Sequence, residues 1–341
     1  MIHFLVSILL FTLMSAPVAD LPKDSFVLPE NEQLGQLFIV GFYGTTVTPE
    51  FAAELREFRP GGVLLLGRNI ESATQLKKLN SDLQAIATED NRPPLWIAVD
   101  QEGGIVSRIK WTRVPEAPSA LSAMNALPIG ERRGEELRAL GINMNLAPVL
   151  DSRNPSDFLA NRAFPSTDQQ AELIARGLIE GHWNAHVLAV PKHFPGYDGI
   201  KKNPEMTVIP KVAHTPPTGL FRSIVRKVPI VMAAHVIYEN LDPEIPFPLS
   251  QIGIALFKIE FGDDTLLMSD DLLSPAMQKW DHVPHLAQQS VESGLDIFLL
   301  GDPKQARYFM LAFKDRASTH PELAPRFAKT AQRILELKGQ H

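Results

Sequence analysis

The sequence predicts a single-domain α/β protein of the (β/α)8, TIM-type barrel class. Three observations carry that expectation: eight short apolar runs recur at a steady spacing, amphipathic stretches separate them, and polar or charged side chains collect at their C-terminal ends. Near-continuous apolar runs suit strands buried on both faces, as in a parallel sheet covered by helices. An open doubly wound sheet would alternate in the same way. It would normally bring a glycine-rich phosphate turn after an early strand, and no GxGxxG occurs in the 341 residues.

In chain order the runs are QLFIVGF (36–42), GGVLLLG (61–67), PLWIAVD (94–100) and INMNLAPVLD (142–151). They continue with VLAVPKHF (187–194), PIVMAAHVIY (229–238), DTLLMSDDL (264–272) and LDIFLLGD (295–302). Segments between them, such as SATQLKKLNSDLQAIATED and TDQQAELIARGLIEGHWNAH, have helical periodicity, and LAPRFAKTAQRILELKGQH is expected to be a closing helix. The run ends carry Asp100, Asp151, Lys192 with His193, His235, Asp270 with Asp271, and Asp302. Active sites of barrels lie at that C-terminal face. No internal repeat, low-complexity segment or linker divides the chain, so one barrel is expected over residues 20–341.

Composition narrows the function. The 33 basic and 39 acidic residues give a formal charge of −6 without a long basic run, which weighs against a nucleic-acid partner. Small neutral or mildly polar ligands fit better. With no cysteines, thiolate metal sites and a cysteine nucleophile are excluded. No HExxH-type spacing appears, so neither a metal nor an organic cofactor is expected. The apolar run Phe4–Met14 has the length of a signal-peptide core, so residues 1–19 are expected to be a leader and the protein exported, periplasmic or secreted. Membrane association is expected only if that segment stays uncleaved.

Three strings combine into a stronger signal: AVDQEGG (98–104) with Arg108 following, KHFPG (192–196) and MSDDL (268–272). In this order and at these strand ends they resemble the glycoside hydrolase family 3 β-N-acetylglucosaminidases that act on peptidoglycan fragments. GQLFIVGFYGT, GGVLLLGRNI, NRAF (161–164), AAHVIY and RILELK extend the likeness over nearly the whole mature chain. The resemblance implies a retaining hydrolase that releases terminal β-linked N-acetylhexosamine, plausibly from peptidoglycan fragments or muropeptides. It makes Asp270 the nucleophile that forms a glycosyl-enzyme. It also implies that Asp100 accepts hydrogen bonds from sugar hydroxyls while Arg108, Arg162, Lys192 and His193 donate to the sugar or its acyl group. Ile105 stands where the family usually has an arginine, and His235 and Tyr238 are expected to be core residues.

The acid/base loop departs most from the family. Resembling enzymes continue KHFPG into a loop of the form GHGxxxxDSH, whose histidine, supported by an aspartate, supplies the proton. Here the string is GYDGIKKNPE. Counted without gaps, the first loop histidine becomes Tyr197, the dyad aspartate Asn203 and the catalytic histidine Glu205. Several readings stay open. Glu205 replaces the histidine as the acid/base, Asp198 or a partner chain supplies the group, or acid catalysis has been lost and a sugar-binding pseudoenzyme remains. A more distant rival is a Schiff-base lyase with Lys192 as its amine.

Overall fold

The computed structural model describes residues 30–89, 92–151, 157–164, 168–215 and 219–340. The expected leader, residues 1–19, lies outside them. No helix among the described residues is long and apolar enough to cross a membrane.

The scaffold is a curled, all-parallel sheet with helices on its outer face, an α/β barrel-type domain. Its strands run, in spatial order, Leu188–Ala189, Met144–Asn145, Trp96–Val99, Gly62–Leu65, Phe38–Gly41, Ile297–Leu300, Leu266–Asp271, Ile230–Ala233 and Lys192–Phe194. The two ends of this ladder, Leu188–Ala189 and Lys192–Phe194, are successive pieces of a single apolar run, separated by Val190 and Pro191.

Each strand is buried on both faces, and its alternation divides two cores. Ile39, Leu64, Trp96, Ala98, Met232, Met268 and Leu299 fill the interior of the curl, where Ile334 and Leu337 of the last helix, Ala324–Gln340, also pack. The intervening residues, among them Phe38, Val40, Val63, Leu65, Ile97 and Val99, face the helices. Burial at alternate positions on both sides explains why the runs are continuous in sequence, and it fixes register because a one-residue slip would exchange the two cores.

Helices start where the chain supplies an acceptor for their unpaired amides. Thr48, Ser72, Ser250 and Ser274 each accept from the backbone N–H three residues on, and Asp302 accepts from Lys304 N. Proline follows the cap at positions 49, 275 and 303, where its missing N–H costs nothing.

Three expected strands are shorter than their apolar runs. The fourth contracts to Met144–Asn145 with an isolated bridge from Val149 to Lys192, the fifth splits around Pro191, and the sixth ends at Ala233. Pro148 and Pro191 have no N–H to give to a ladder, which accounts for the first two interruptions. After the sixth, Ile237–Tyr238 pairs with Lys211–Val212 in a separate two-stranded sheet.

Candidate active site

A cleft of about 320 Å³ opens at the C-terminal ends of the strands. Asp100, Arg108, Arg162, Lys192, His193, Glu205 and Asp270 all line it, so the expected nucleophile, the candidate acid/base and the five expected sugar-binding residues reach one cavity. Asp198 is not among the described lining residues, and Lys201 and Lys202 are exposed.

One wall is a chain of alternating charges. Lys192 Nζ lies 2.7 Å from Asp100 Oδ1 and 2.8 Å from Glu102 Oε1. Arg108 reaches Asp100 Oδ2 at 3.1 Å, and Arg162 clasps Glu102 through two hydrogen bonds of 2.8 and 2.7 Å. Burial alone would push the Asp100 and Glu102 carboxyls up. The cations outweigh it, Lys192 and Arg108 for Asp100 and Lys192 and Arg162 for Glu102, and hold both below the ordinary range. Burial likewise opposes the charge on Lys192, but Asp100 and Glu102 raise its pKa above the usual lysine value. A Schiff-base role would need the reverse, a lysine that gives up its proton readily.

Glu102 was invisible as a site residue because AVDQEGG offers three polar positions in succession and no periodicity to rank them. In the structure the chain after Trp96–Val99 turns into a small antiparallel hairpin, Gln101–Gly103 with Val106–Ser107, which carries Glu102 to the cleft. Arg133 fixes the hairpin by donating to the Glu102 carbonyl at 2.9 Å.

The floor is built from the fourth and fifth strand ends. Asp151 Oδ2 lies 2.7 Å from His193 Nδ1 and accepts from His193 N at 3.0 Å, while Oδ1 accepts from Tyr197 N at 2.7 Å. The carboxylate thus orients the imidazole, whose Nε2 points toward Asp270 Oδ2 at 3.8 Å. Asp151 was recognisable as a polar strand end, but its partner is 42 residues away.

Opposite the charged wall stand Asp270, Asp271 and Glu205. Asp270 is 19% exposed at its side chain, open to the cleft, and its Oδ1 accepts from Asp271 N at 2.9 Å. Asp271 turns toward Gly301: its Oδ1 accepts from Gly301 N at 2.7 Å and from Leu273 N at 2.9 Å. A Cβ at position 301 would stand 2.3 Å from Asp271 Oδ2, so glycine is what allows the approach. Burial, reinforced by Glu205 and Asp270, pushes the Asp271 carboxyl up to about 7 despite those amides.

Glu205 Oε1 stands 2.8 Å from Nδ1 of His235, which is fully buried. The approach lies off the hydrogen-bonding axis, leaving both atoms without an aligned partner. Burial and then the charge of Asp270 raise the Glu205 pKa, with His235 and Ser274 offsetting part of the shift. Burial opposes protonation of His235, but Glu205, together with Asp270 and Asp271, outweighs it and the pKa rises. His235 meets the core-residue expectation in being interior, and in addition it faces a carboxylate. Tyr238 fits that expectation, packed on Phe247 with its hydroxyl donating to the Gly196 carbonyl at 2.7 Å. Tyr197, in the place of the family's first loop histidine, is buried, and its hydroxyl accepts from His235 N at 2.9 Å.

Known proteins resemble this chain in sequence and in fold. The family pattern described as the glycosyl hydrolase family 3 N-terminal domain matches residues 30–337. A β-hexosaminidase of Alkalilimnicola ehrlichii is 35% identical over 296 residues, covering 80% of this chain and 82% of that protein. One from Nitrosomonas eutropha is 33% identical over 285 residues, covering 77% and 80%. Among solved structures, a family 3 β-N-acetylglucosaminidase of Paenibacillus sp. str. FPU-7 superposes with a TM-score of 0.85 at 31% identity, covering 92% of this chain but 62% of its own longer one. A β-N-acetylhexosaminidase of Beutenbergia cavernae gives 0.83 at 27% identity, covering 92% and 99%. With the family pattern spanning almost all described residues and relatives above 30% identity over most of its length, the chain belongs to glycosyl hydrolase family 3 and is a glycoside hydrolase.

Proposed function

We propose that the protein is an exported, retaining β-N-acetylhexosaminidase that acts on small N-acetylglucosaminides, with peptidoglycan fragments as its substrate class. In this mechanism the Asp270 carboxylate attacks the anomeric carbon while the Glu205 carboxylic acid gives its proton to the departing glycosidic oxygen. Glu205, now ionised, takes a proton from the water that attacks the same carbon, and the Asp270–sugar bond breaks. Atoms balance with water alone. Lys192, Arg108 and Arg162 with their carboxylates supply charged donors and acceptors for hydroxyl and acyl groups, and Asp151 holds the His193 ring toward the reacting face.

The observation that carries this proposal is that Glu205 and Asp270 line one cleft, where burial and the charge of Asp270 raise the Glu205 carboxyl. Support for the substrate class comes from the printed activities of the relatives. The ladder whose ends are consecutive segments of one run supports a closed (β/α)8 barrel. The test is trapping with a 2-acetamido-2-deoxy-5-fluoro glycoside followed by peptide mapping. Label on the peptide containing Asp270, lost in Asp270→Asn, is expected. Label on another residue refutes the assignment.

The absent histidine–aspartate dyad favours a second possibility, a sugar-binding protein that no longer turns over. Calorimetry beside a turnover assay separates the two. Tight binding of N-acetylglucosamine without hydrolysis of any N-acetylglucosaminide supports the binding protein.

A further inference from the structure

Beyond the cleft, the turn joining helix Pro275–Trp280 to helix Val283–Ser293 brings Asp281, His282 and His285 together. Asp281 Oδ1 lies 2.8 Å from His282 Nδ1, and Oδ2 meets His285 Nδ1 in a still shorter contact. The two imidazoles stack with centroids 5.6 Å apart and planes 28° from parallel. One donor atom from each of the three residues lies within 4.8 Å of the other two. A tetrahedral ion with bonds of about 2.0–2.1 Å spaces its ligands by roughly 3.3–3.5 Å, so small side-chain rotations would bring all three onto one centre.

A second feature prepares His285 for this use. Its Nε2 lies 3.5 Å from Gln289 Nε2, while Gln289 Oε1 is buried without a partner. Turning the amide over places Oε1 against the imidazole, where it accepts Nε2–H and leaves Nδ1 as the ligating atom. Metal-bound histidines are commonly fixed through the other ring nitrogen in this manner.

We propose that Asp281, His282 and His285 form a binding site for a divalent transition-metal ion of the Zn²⁺, Ni²⁺ or Cu²⁺ class, with Gln289 orienting His285. Two imidazoles and one carboxylate suit these ions, whereas Mg²⁺ and Ca²⁺ prefer all-oxygen sets. Three protein ligands leave a position for water. The ion would sit at the end of the short helix that follows Asp270 and Asp271. Ala276 N in that helix donates to the Glu205 carbonyl at 3.2 Å, so the ion would brace the segment under the Glu205 loop. The site does not depend on the glycosidase mechanism.

The test is calorimetric titration of the untagged full chain with Zn²⁺ and Ni²⁺, alongside Co²⁺ absorption for coordination geometry. One ion per chain is expected, with affinity reduced at least about 10-fold in His282→Ala and in His285→Ala, and lost in the double variant. Gln289→Leu is expected to weaken binding without abolishing it. If the double variant melts early, the single glutamine variants His282→Gln and His285→Gln carry the test. Equal affinity and stoichiometry in wild type and variants, or no binding to the wild type at millimolar ion, overturns the proposal.

Discussion

Replacing Glu205 by glutamine removes one proton and leaves the loop in place, because its anchors are backbone groups: Glu205 N donates to Asn203 Oδ1 at 3.0 Å and Glu205 O accepts from Ala276 N at 3.2 Å. A positioned general acid contributes about 10²- to 10⁴-fold, or roughly 3–5 kcal/mol of barrier at 1.36 kcal/mol per tenfold. For a natural disaccharide with a poor leaving group, kcat is expected to fall by that full range. For 4-nitrophenyl N-acetyl-β-glucosaminide the first step needs little protonation, but the second still needs a base to activate water. Stopped-flow absorbance should therefore show a burst of about one equivalent of nitrophenol followed by slow turnover. Azide, which needs no base, should restore the rate and yield a glycosyl azide. The wild-type pH profile should lose activity as the raised Glu205 carboxyl ionises, and that alkaline limb should vanish in Glu205→Gln. An unchanged steady-state rate on both substrates refutes the acid/base role. A surviving limb near pH 7 would instead assign the titration to Asp271, whose carboxyl is pushed up to about 7.

Lys192→Met leaves Asp100 and Glu102 buried without their shared cation, so chemical unfolding should show a loss of about 3–5 kcal/mol, and a smaller loss would mean that water replaces the ammonium. Gly301→Ala forces a methyl group against Asp271 Oδ2 and should cost about 1–3 kcal/mol in thermal or urea melts, with reduced kcat because Asp270 is the next residue. Lys338, beneath the Trp96 ring and bonded to Gln36 at 2.7 Å, has its pKa lowered by burial to about 7. The unfolded chain then binds the extra proton between that value and the ordinary lysine range, so this group's contribution to stability rises with pH through that window, by about 1.4 kcal/mol per unit. Lys338→Met should accordingly stabilise most at pH 6 and progressively less toward pH 10, and a stability difference between wild type and variant that does not change with pH refutes the lowered pKa.

Much of this architecture is legible in the sequence because burial on both faces leaves continuous apolar runs, and strand ends leave charges where those runs stop. Breaks within strands are less legible. Pro148 and Pro191 look like parts of apolar runs, yet each denies the ladder a donor. Site residues divide along a similar line. Asp270, Lys192 and His193 stand at run ends inside recognisable strings, whereas Glu102 depends on a hairpin that two glycines and a short polar stretch barely signal. His235 illustrates another limit. Its apolar surroundings correctly indicate burial, but the carboxylate it faces belongs to a loop 30 residues earlier, and no local pattern joins them. The Asp281–His282 pair with His285 lacks the helical HExxH spacing and draws its geometry from a turn between helices.

The two walls of the cleft differ in how their charges are balanced, and that difference bears on the catalytic cycle. On one wall three cations, Arg108, Lys192 and Arg162, face two carboxylates, Asp100 and Glu102, so the wall keeps its charges ionised throughout. On the other, Asp270, Asp271 and Glu205 line the cleft with His235 beside Glu205, and part of what raises the Glu205 pKa is the charge of Asp270 itself. In the proposed mechanism, formation of the glycosyl-enzyme would convert that carboxylate to a neutral ester. The Coulomb contribution would then disappear, the Glu205 pKa would fall, and His235 would be left to favour the ionised form. In that mechanism the same side chain would hold its proton more tightly when an acid is needed and release it more readily when a base is needed. In this arrangement the nucleophile would tune the protonation of its own partner, and a loop histidine would feel a shift of the same sign, because a neighbouring anion favours the protonated form of either group.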